Sequence, residues 1–289
     1  MPVTDTPLRY PGGKTQLFKF ISNLLMRNNL SNSIYVEPFS GGAGISISLL
    51  LRGLVDKIVI NDIDPSIHAF WYSILNYCEQ FISLIENTDV TMESWNRQKE
   101  INEIYRNNPY SIENGFSTFF LNRTNRSGII SGGVIGGRNQ EGKYKLDCRY
   151  NKQSLIKKIR NIASMYDNIT LYNIDAKILI DQHIKHLDPN RTFVFFDPPY
   201  YKQGKNLYTN SFGHQDHVAL YKAIKQINNY HWITTYDYHQ AIIDIYKDVP
   251  QYKYSLQYSA QNKRKERELL FSNVITSVES FSKIIIEKA

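Results

Sequence analysis

Short apolar runs that stop on an acid or a small residue alternate along this chain with stretches of helical periodicity. The first run, SIYVEPF at Ser33–Phe39, precedes GGAGISISLLLRGL, and the second, KIVIND at Lys57–Asp62, precedes a helical stretch from Pro65. Later come ITLYNID (Ile169–Asp175), TFVFFD (Thr192–Asp197) and HWITTYD (His231–Asp237); between the last two, Val218, Tyr221, Ile224 and Ile227 recur at helical spacing. β-Branched and aromatic runs favour strands, and strands separated by helices pair in parallel through crossovers, so the pattern predicts an open α/β sheet. Two further strand-like runs, YSLQYS and ELLFSNV, flank the charged stretch NKRKER, which reads as the turn of an antiparallel hairpin.

The middle breaks this rhythm. Residues 76–165 carry helical patterns (one with Ile101, Ile104 and Tyr105), the glycine-rich SGIISGGVIGGRNQEGKY, and a predicted helix from Lys152 to Tyr166. We expect an inserted, mainly helical domain at 76–165 between two parts, 1–75 and 166–289, of one sheet domain. Charge sharpens the division. Arg97 to Arg160 holds thirteen Lys and Arg against five Asp and Glu, a surplus of +8, while the whole chain carries only +7. A basic insert is the footprint of a polyanionic partner. Cys78 and Cys148 lie in no CxxC pair and beside no His at ligand spacing, which argues against a disulfide framework or a metal site. With no signal-like apolar core and no apolar run of about 20 residues, a soluble cytoplasmic protein is expected.

Chemistry concentrates at the strand ends. In EPFSGGAG (Glu37–Gly44) glycines open a helix directly after a strand, which allows a ligand to approach the backbone at the carboxyl edge of a parallel sheet. Asp62 in NDIDP is placed to accept ribose hydroxyls, and Asp64 before Pro65 suits a helix cap. GGAGIS lacks the GxGxxG spacing of hydride-transferring enzymes, and PGGKT has no strand before it as a P-loop requires. FVFFDPPYY ends a strand with two prolines, which leave rigid carbonyls beside the Asp197 carboxylate. Two adjacent acceptors match a planar amino group, and Tyr200 or Tyr201 offers a stacking face.

Taken in order, YPGGK, EPFSGGAG, NDIDP and DPPY resemble the Dam-like adenine-specific DNA methyltransferases, with their target-recognition insert between the second sheet acid and DPPY. FFLNRTNRSGI and KERELLFSN extend the resemblance over nearly the whole chain. It implies a Rossmann-like methyltransferase sheet and S-adenosylmethionine held by Tyr10, Gly12, Lys14, Glu37, Phe39, Ser40, Gly41, Gly42, Gly44, Asp62, Ile63, Asp175 and Asp197. Asp197, Pro198, Pro199 and Tyr200 become the catalytic tetrapeptide, acting on the N6 amino group of a flipped-out adenine. Arg123, Asn125, Arg126, Arg138 and Lys143 are the candidates for contact with double-stranded DNA. GGVIGGRNQEGKY departs from the Asn-Val-Pro loop of relatives that read GATC, so the target sequence stays open. A monomer or weak dimer is expected, with a cognate restriction endonuclease as a candidate partner. Two alternatives stand beside this reading: an RNA adenine or cytosine-amino methyltransferase, and an idle DNA-binding subunit.

Overall fold

A computed structural model describes residues 4–9, 14–202, 212–258 and 264–288. Five strands, β1 (Ile34–Glu37), β2 (Lys57–Asn61), β3 (Ile169–Tyr172), β4 (Thr192–Phe196) and β5 (His231–Asp237), run parallel. β6 (Gln251–Tyr258), β7 (Arg264–Ser272) and the short β8 (Glu287–Lys288) complete an eight-stranded sheet of order β3-β2-β1-β4-β5-β7-β6-β8. β7 lies antiparallel to both β5 and β6. The expected mixed sheet and hairpin are therefore present, with one correction. β7 begins at Arg264, which pairs with Tyr258, so Arg264–Arg267 of NKRKER belong to a strand, while Asn262 and Lys263 lie outside the described residues.

Side-chain alternation divides the core into two layers. Tyr35, Ile58, Ile60, Phe193 and Phe195 face one side, and Val36, Val59, Val194, Phe196 and Trp232 face the other. The second side is covered by α8 (Ala176–Gln182), α9 (His214–Ile224) and α10 (Gln240–Ile245) through Leu179, Leu220, Ile224 and Ile242. On the first side lie α1 (Phe18–Arg27), α2 (Gly44–Leu51) and α3 (Pro65–Asn76). Because β4 is buried on both faces, all five of its residues are buried, and an apolar run replaces alternation.

Local chemistry sets the helix starts. Asp64 caps α3 by accepting the Ser66 N–H, with Pro65 in the first turn, as its sequence position suggested. Residues 76–165 form α4 (Cys78–Asn87), α5 (Met92–Tyr105), α6 (Ile112–Thr124) and α7 (Lys152–Ala163), joined by loops and short 3-10 turns. Thr91, Ser111 and Asn151 cap α5, α6 and α7 in the same manner. α7 ends three residues before the predicted Tyr166. Apolar packing is continuous from these helices into the sheet layer: Phe70 of α3 stacks on Phe119 of α6 and meets Phe81 of α4 edge-on. The segment is mainly helical, as expected, and shares its core with the sheet rather than enclosing one of its own.

The α3–α6 crossing is close because α6 carries Gly115 there. A Cβ at that position would sit 2.4 Å from Ser73 Oγ and 2.5 Å from the Ala69 carbonyl oxygen. Both obstacles are short or main-chain atoms, so the helices themselves must part. Gly115→Ala is expected to lower stability by about 1–3 kcal/mol, measured by urea denaturation; an unchanged midpoint would show that the crossing has slack.

Candidate active site

Strand order reverses between β1 and β4, and their carboxyl ends open a crevice there. After Glu37 the chain turns through Phe39, Ser40, Gly41 and Gly42 into α2. Gly41 (φ +46°) and Ala43 (φ +45°) are left-handed, a conformation that glycine adopts without strain. Asp62 holds this turn: its two carboxylate oxygens accept the N–H of Gly41 at 2.8 Å and of Asp64 at 3.0 Å. Trp71 Nε1 donates to the Gly41 carbonyl at 3.0 Å. A Cβ on Gly44 would lie 2.9 Å from Thr15 Cγ2, so glycine lets α2 start against the stretch that follows Lys14.

Asn61 was not singled out from sequence, yet it ties three strand ends together. Its side chain donates to the carbonyls of Pro38 at 2.9 Å and Ile174 at 3.0 Å and accepts the Ile174 N–H at 3.0 Å. Beside it opens a shallow pocket lined by Pro38, Phe39, Ile63, Asp175, Lys177 and Phe212. Phe39 and Phe212 meet edge-on at 6.0 Å. Asp175 lines this pocket and caps α8 by accepting the Lys177 N–H at 2.7 Å.

Burial dominates the electrostatics of the acids. Glu37 is pushed up to about 7, first by desolvation, with the hydroxyls of Ser46 and Tyr35 opposing the rise and the charge of Asp197 adding to it. Asp62 also rises to about 7, first by desolvation and then by the charge of Asp64, against the two N–H groups that it accepts.

At the end of β4 stands Asp197. Its Oδ1 accepts the Thr235 hydroxyl at 2.7 Å and faces Lys14 Nζ at 3.4 Å. Burial raises the Asp197 carboxyl above its ordinary range, while Lys14 and Thr235 draw it back. Its side chain keeps 23% exposure, so a substrate can reach it. Lys14 also lies 3.8 Å from Glu268 on β7, which accepts the Tyr254 hydroxyl at 2.5 Å. The Lys14 ammonium donates to the Tyr200 hydroxyl and lies 4.4 Å from the centre of that ring. Tyr10 and Gly12 lie outside the described residues.

Asp237, at the end of β5, also escaped the motif reading. Its carboxylate accepts the N–H of Tyr201 at 2.9 Å and of Lys202 at 3.0 Å, fixing the chain that leaves DPPY. Tyr201 packs against His239 with ring centres 4.3 Å apart and against His217 at 5.2 Å. That assigns Tyr201 to holding the loop, and leaves Tyr200 as the tyrosine beside the acceptors.

The insert candidates divide by direction. Arg126, Arg138 and Lys143 are exposed, as contacts to a partner require. Asn125 is fully buried: it accepts from Trp95 Nε1 at 2.7 Å and donates to the carbonyls of Ile129 and Ile130. All three of those bonds are internal, so Asn125 shapes the loop and offers nothing to a base edge. Arg123 Nε donates to the Arg149 carbonyl at 2.7 Å and Nη1 to the Pro7 carbonyl at 3.3 Å, which makes it a bridge between the insert and the first residues. Asn122 extends that bridge, accepting the Arg9 N–H at 2.8 Å and donating to the Arg9 and Gly128 carbonyls. Among the described residues no cluster could hold a metal ion, and no helix is long and apolar enough to cross a membrane.

The D12 class N6 adenine-specific DNA methyltransferase family matches residues 10–259, and the chain belongs to that family. It is 24% identical over 238 residues to the type II methyltransferase M.MjaIII of Methanocaldococcus jannaschii, covering 76% of this chain and 79% of that protein. With the type II methyltransferase M.CviBI of Paramecium bursaria Chlorella virus NC1A it shares 26% identity over 224 residues, covering 77% and 79% respectively. With M1.LlaDCHI of Lactococcus lactis subsp. cremoris the identity is 24% over 240 residues, covering 76% of each.

Two outcomes follow from this geometry. Asp237→Ala releases the loop after DPPY and is expected to lower kcat by about 100-fold, the scale of a misplacement near 1 Å, with little change in KM for the methyl donor. An unchanged kcat would remove Asp237 from the site. For Glu37, a folded value of about 7 against the ordinary 4.5 means that the folded state binds the proton more tightly. Its stabilising effect is complete below 4.5 and is lost as pH rises through about 7, a difference of about 3 kcal/mol. Melting temperature across that window should therefore fall less steeply in Glu37→Gln; identical slopes would refute the assignment.

Proposed function

We propose that this adenine methyltransferase transfers the methyl group of S-adenosylmethionine to N6 of a flipped-out adenine in double-stranded DNA. The observation that carries the reading is the pair of acceptors at the switch point: the Asp197 carboxylate, reachable and charge-supported by Lys14, and the carbonyl of the following Pro198.

The crevice fits the donor. Phe39, Ile63 and Phe212 offer an apolar slot to a purine ring, with Asp175 at the rim. The turn at Gly41 is tied to Asp62, which keeps lone pairs beyond the two N–H groups that it accepts, enough for ribose hydroxyls. Bound there, S-adenosylmethionine supplies an electrophilic methyl group on a sulfonium.

The chain's own residues prepare the nucleophile. Adenine N6 is weak because its lone pair is delocalised into the ring. Asp197 and the Pro198 carbonyl each accept one N–H, drawing the nitrogen toward tetrahedral geometry and directing its lone pair outward. Proline at 198 and 199 stiffens the second acceptor. Tyr200, steadied by Lys14, stands beside the acceptors as the stacking face for the flipped base. Once methylated, the nitrogen is acidic, and the raised Asp197 carboxylate is suited to receive its proton. Exposed Arg126, Arg138 and Lys143 provide phosphate contacts that offset the cost of flipping. The type II designation of the relatives supports a cognate restriction endonuclease as functional partner.

With labelled S-adenosylmethionine, the purified protein should methylate adenine N6 in unmodified duplex DNA, and Asp197→Ala should abolish the label. Label in RNA but not in DNA would overturn the substrate assignment. The pH profile tests the electrostatics separately. Ionised Asp197 is the stronger acceptor for the amino N–H and the form able to take up its proton, so the single-turnover rate should fall as pH drops through its raised pKa. Lys14→Met removes the charge that lowers that pKa and should move the acidic limb upward by about 1 unit or more. An unmoved limb would separate Lys14 from the titration.

A further inference from the structure

Four cationic side chains converge where the first described residues meet the insert. Arg123 bridges the Arg149 and Pro7 carbonyls, Lys158 Nζ lies 3.4 Å from the Thr6 carbonyl, and Arg9 Nη1 donates to the Asn125 carbonyl at 2.9 Å. All four side chains, Arg149 included, are half-buried. Among the described residues, no carboxylate lies within 4.0 Å of Arg9, Arg123 or Lys158. The acid that acts on Lys158, Asp5, is committed to Arg52 at 2.7 Å and to the Ser48 hydroxyl at 2.8 Å.

We propose that Arg9, Arg123, Arg149 and Lys158 form a phosphodiester site that grips the DNA backbone close to the target base. The site rests on the DNA methyltransferase reading above and names residues beyond those exposed on the insert.

Like charges in a half-buried crevice repel one another, and an anion relieves them. The titration behaviour agrees: Arg123 is lowered to about 10, first by burial and then by the charges of Arg9 and Arg149. Lys158 is lowered first by burial and then by Arg123. Donors remain for a ligand, since a guanidinium carries five N–H groups and Arg123 spends three, on the Arg149 and Pro7 carbonyls. Main-chain carbonyls fix Arg9, Arg123 and Lys158 without neutralising them. A phosphate, with one negative charge and several acceptor oxygens, completes such an arrangement.

Position selects DNA as the source of that phosphate. Arg9 precedes Lys14 by five residues, at most about 17 Å of chain, and Lys14 Nζ is 3.4 Å from Asp197. Phosphates along one strand of a duplex advance by about 3.4 Å each, so a strand whose adenine reaches Asp197 has phosphates a few nucleotides away within range of the cluster.

The test uses the full-length enzyme and an unmodified DNA duplex. For Lys158→Met, the slope of log K against log salt should fall in magnitude by about 0.9, one phosphate contact. Its melting temperature without DNA should hold or rise, because one member of a repelling group is gone. Lys158→Arg should restore the slope. A lowered melting temperature with an unchanged slope would make Lys158 structural and overturn the site. Stabilisation by inorganic phosphate over chloride at equal ionic strength, again with an unchanged slope, would assign the cluster to a free anion and overturn it also. Failure of the wild-type enzyme to methylate duplex DNA would strike the underlying function first, which distinguishes the two failures.

Discussion

One buried ammonium holds the catalytic end of this molecule together. The Lys14 side chain has 3% exposure and lies between Asp197 and Glu268. A desolvated charge costs several kcal/mol unless partners surround it, so these three groups are tolerable only as a set. They come from distant parts of the chain: the stretch before α1, the end of β4 and the middle of β7. This requirement gives the antiparallel hairpin a task beyond covering a sheet edge. β7 lies beside β5 with Glu268 opposite Asp237, and Thr235 of β5 reaches Asp197, so the hairpin delivers the second anion to the same edge where the parallel strands end.

The same constraint explains which parts of the structure could be read from the residues alone. The parallel strands were legible because burial on both faces imposes apolar runs, and β4 shows this most plainly. The DPPY site was legible because carboxylate, prolines and tyrosines are adjacent in sequence. Asn61 and Asp237 were not, since a polar residue at the end of a strand looks like an ordinary stop. Their meaning lies in partners elsewhere: Ile174 lies 113 residues from Asn61, and Tyr201 lies 36 from Asp237. The NKRKER stretch misled for a related reason. Charge suggested a turn, while the backbone pairing of Arg264 with Tyr258 continues the ladder into it. Asn125 shows a further limit, because a residue type reveals hydrogen-bonding capacity but not the direction in which it is spent.

The first residues of the chain link two regions of opposite charge. At Lys14 the segment enters a group of buried acids, with Glu37 and Asp62 raised to about 7 and Asp197 raised as well. At Arg9 it enters a group of half-buried cations lowered by burial and mutual repulsion. Each region is less stable than an uncharged core would be, and each is relieved by a ligand of opposite sign. Under the proposed function those ligands are the cationic sulfonium donor at the acid end and the DNA backbone at the basic end.

The Arg9 end of this segment is tightly specified. Asn122 grips the Arg9 main chain on both sides, and a Cβ on Gly128 (φ +80°) would lie 2.2 Å from the Arg9 carbonyl oxygen. The loop that follows α6 therefore packs directly on the segment that leads to Lys14. A backbone phosphate drawn into the cluster pulls on groups bonded to Thr6, Pro7 and Asn125, and these are the groups that set where that segment begins. Placement of Lys14 is in turn what opposes the rise that burial imposes on the Asp197 carboxyl. Under the proposed site, grip on the DNA backbone and placement of the Lys14 ammonium act at two points of one stretch of main chain, Arg9 and Lys14, that lie five residues apart.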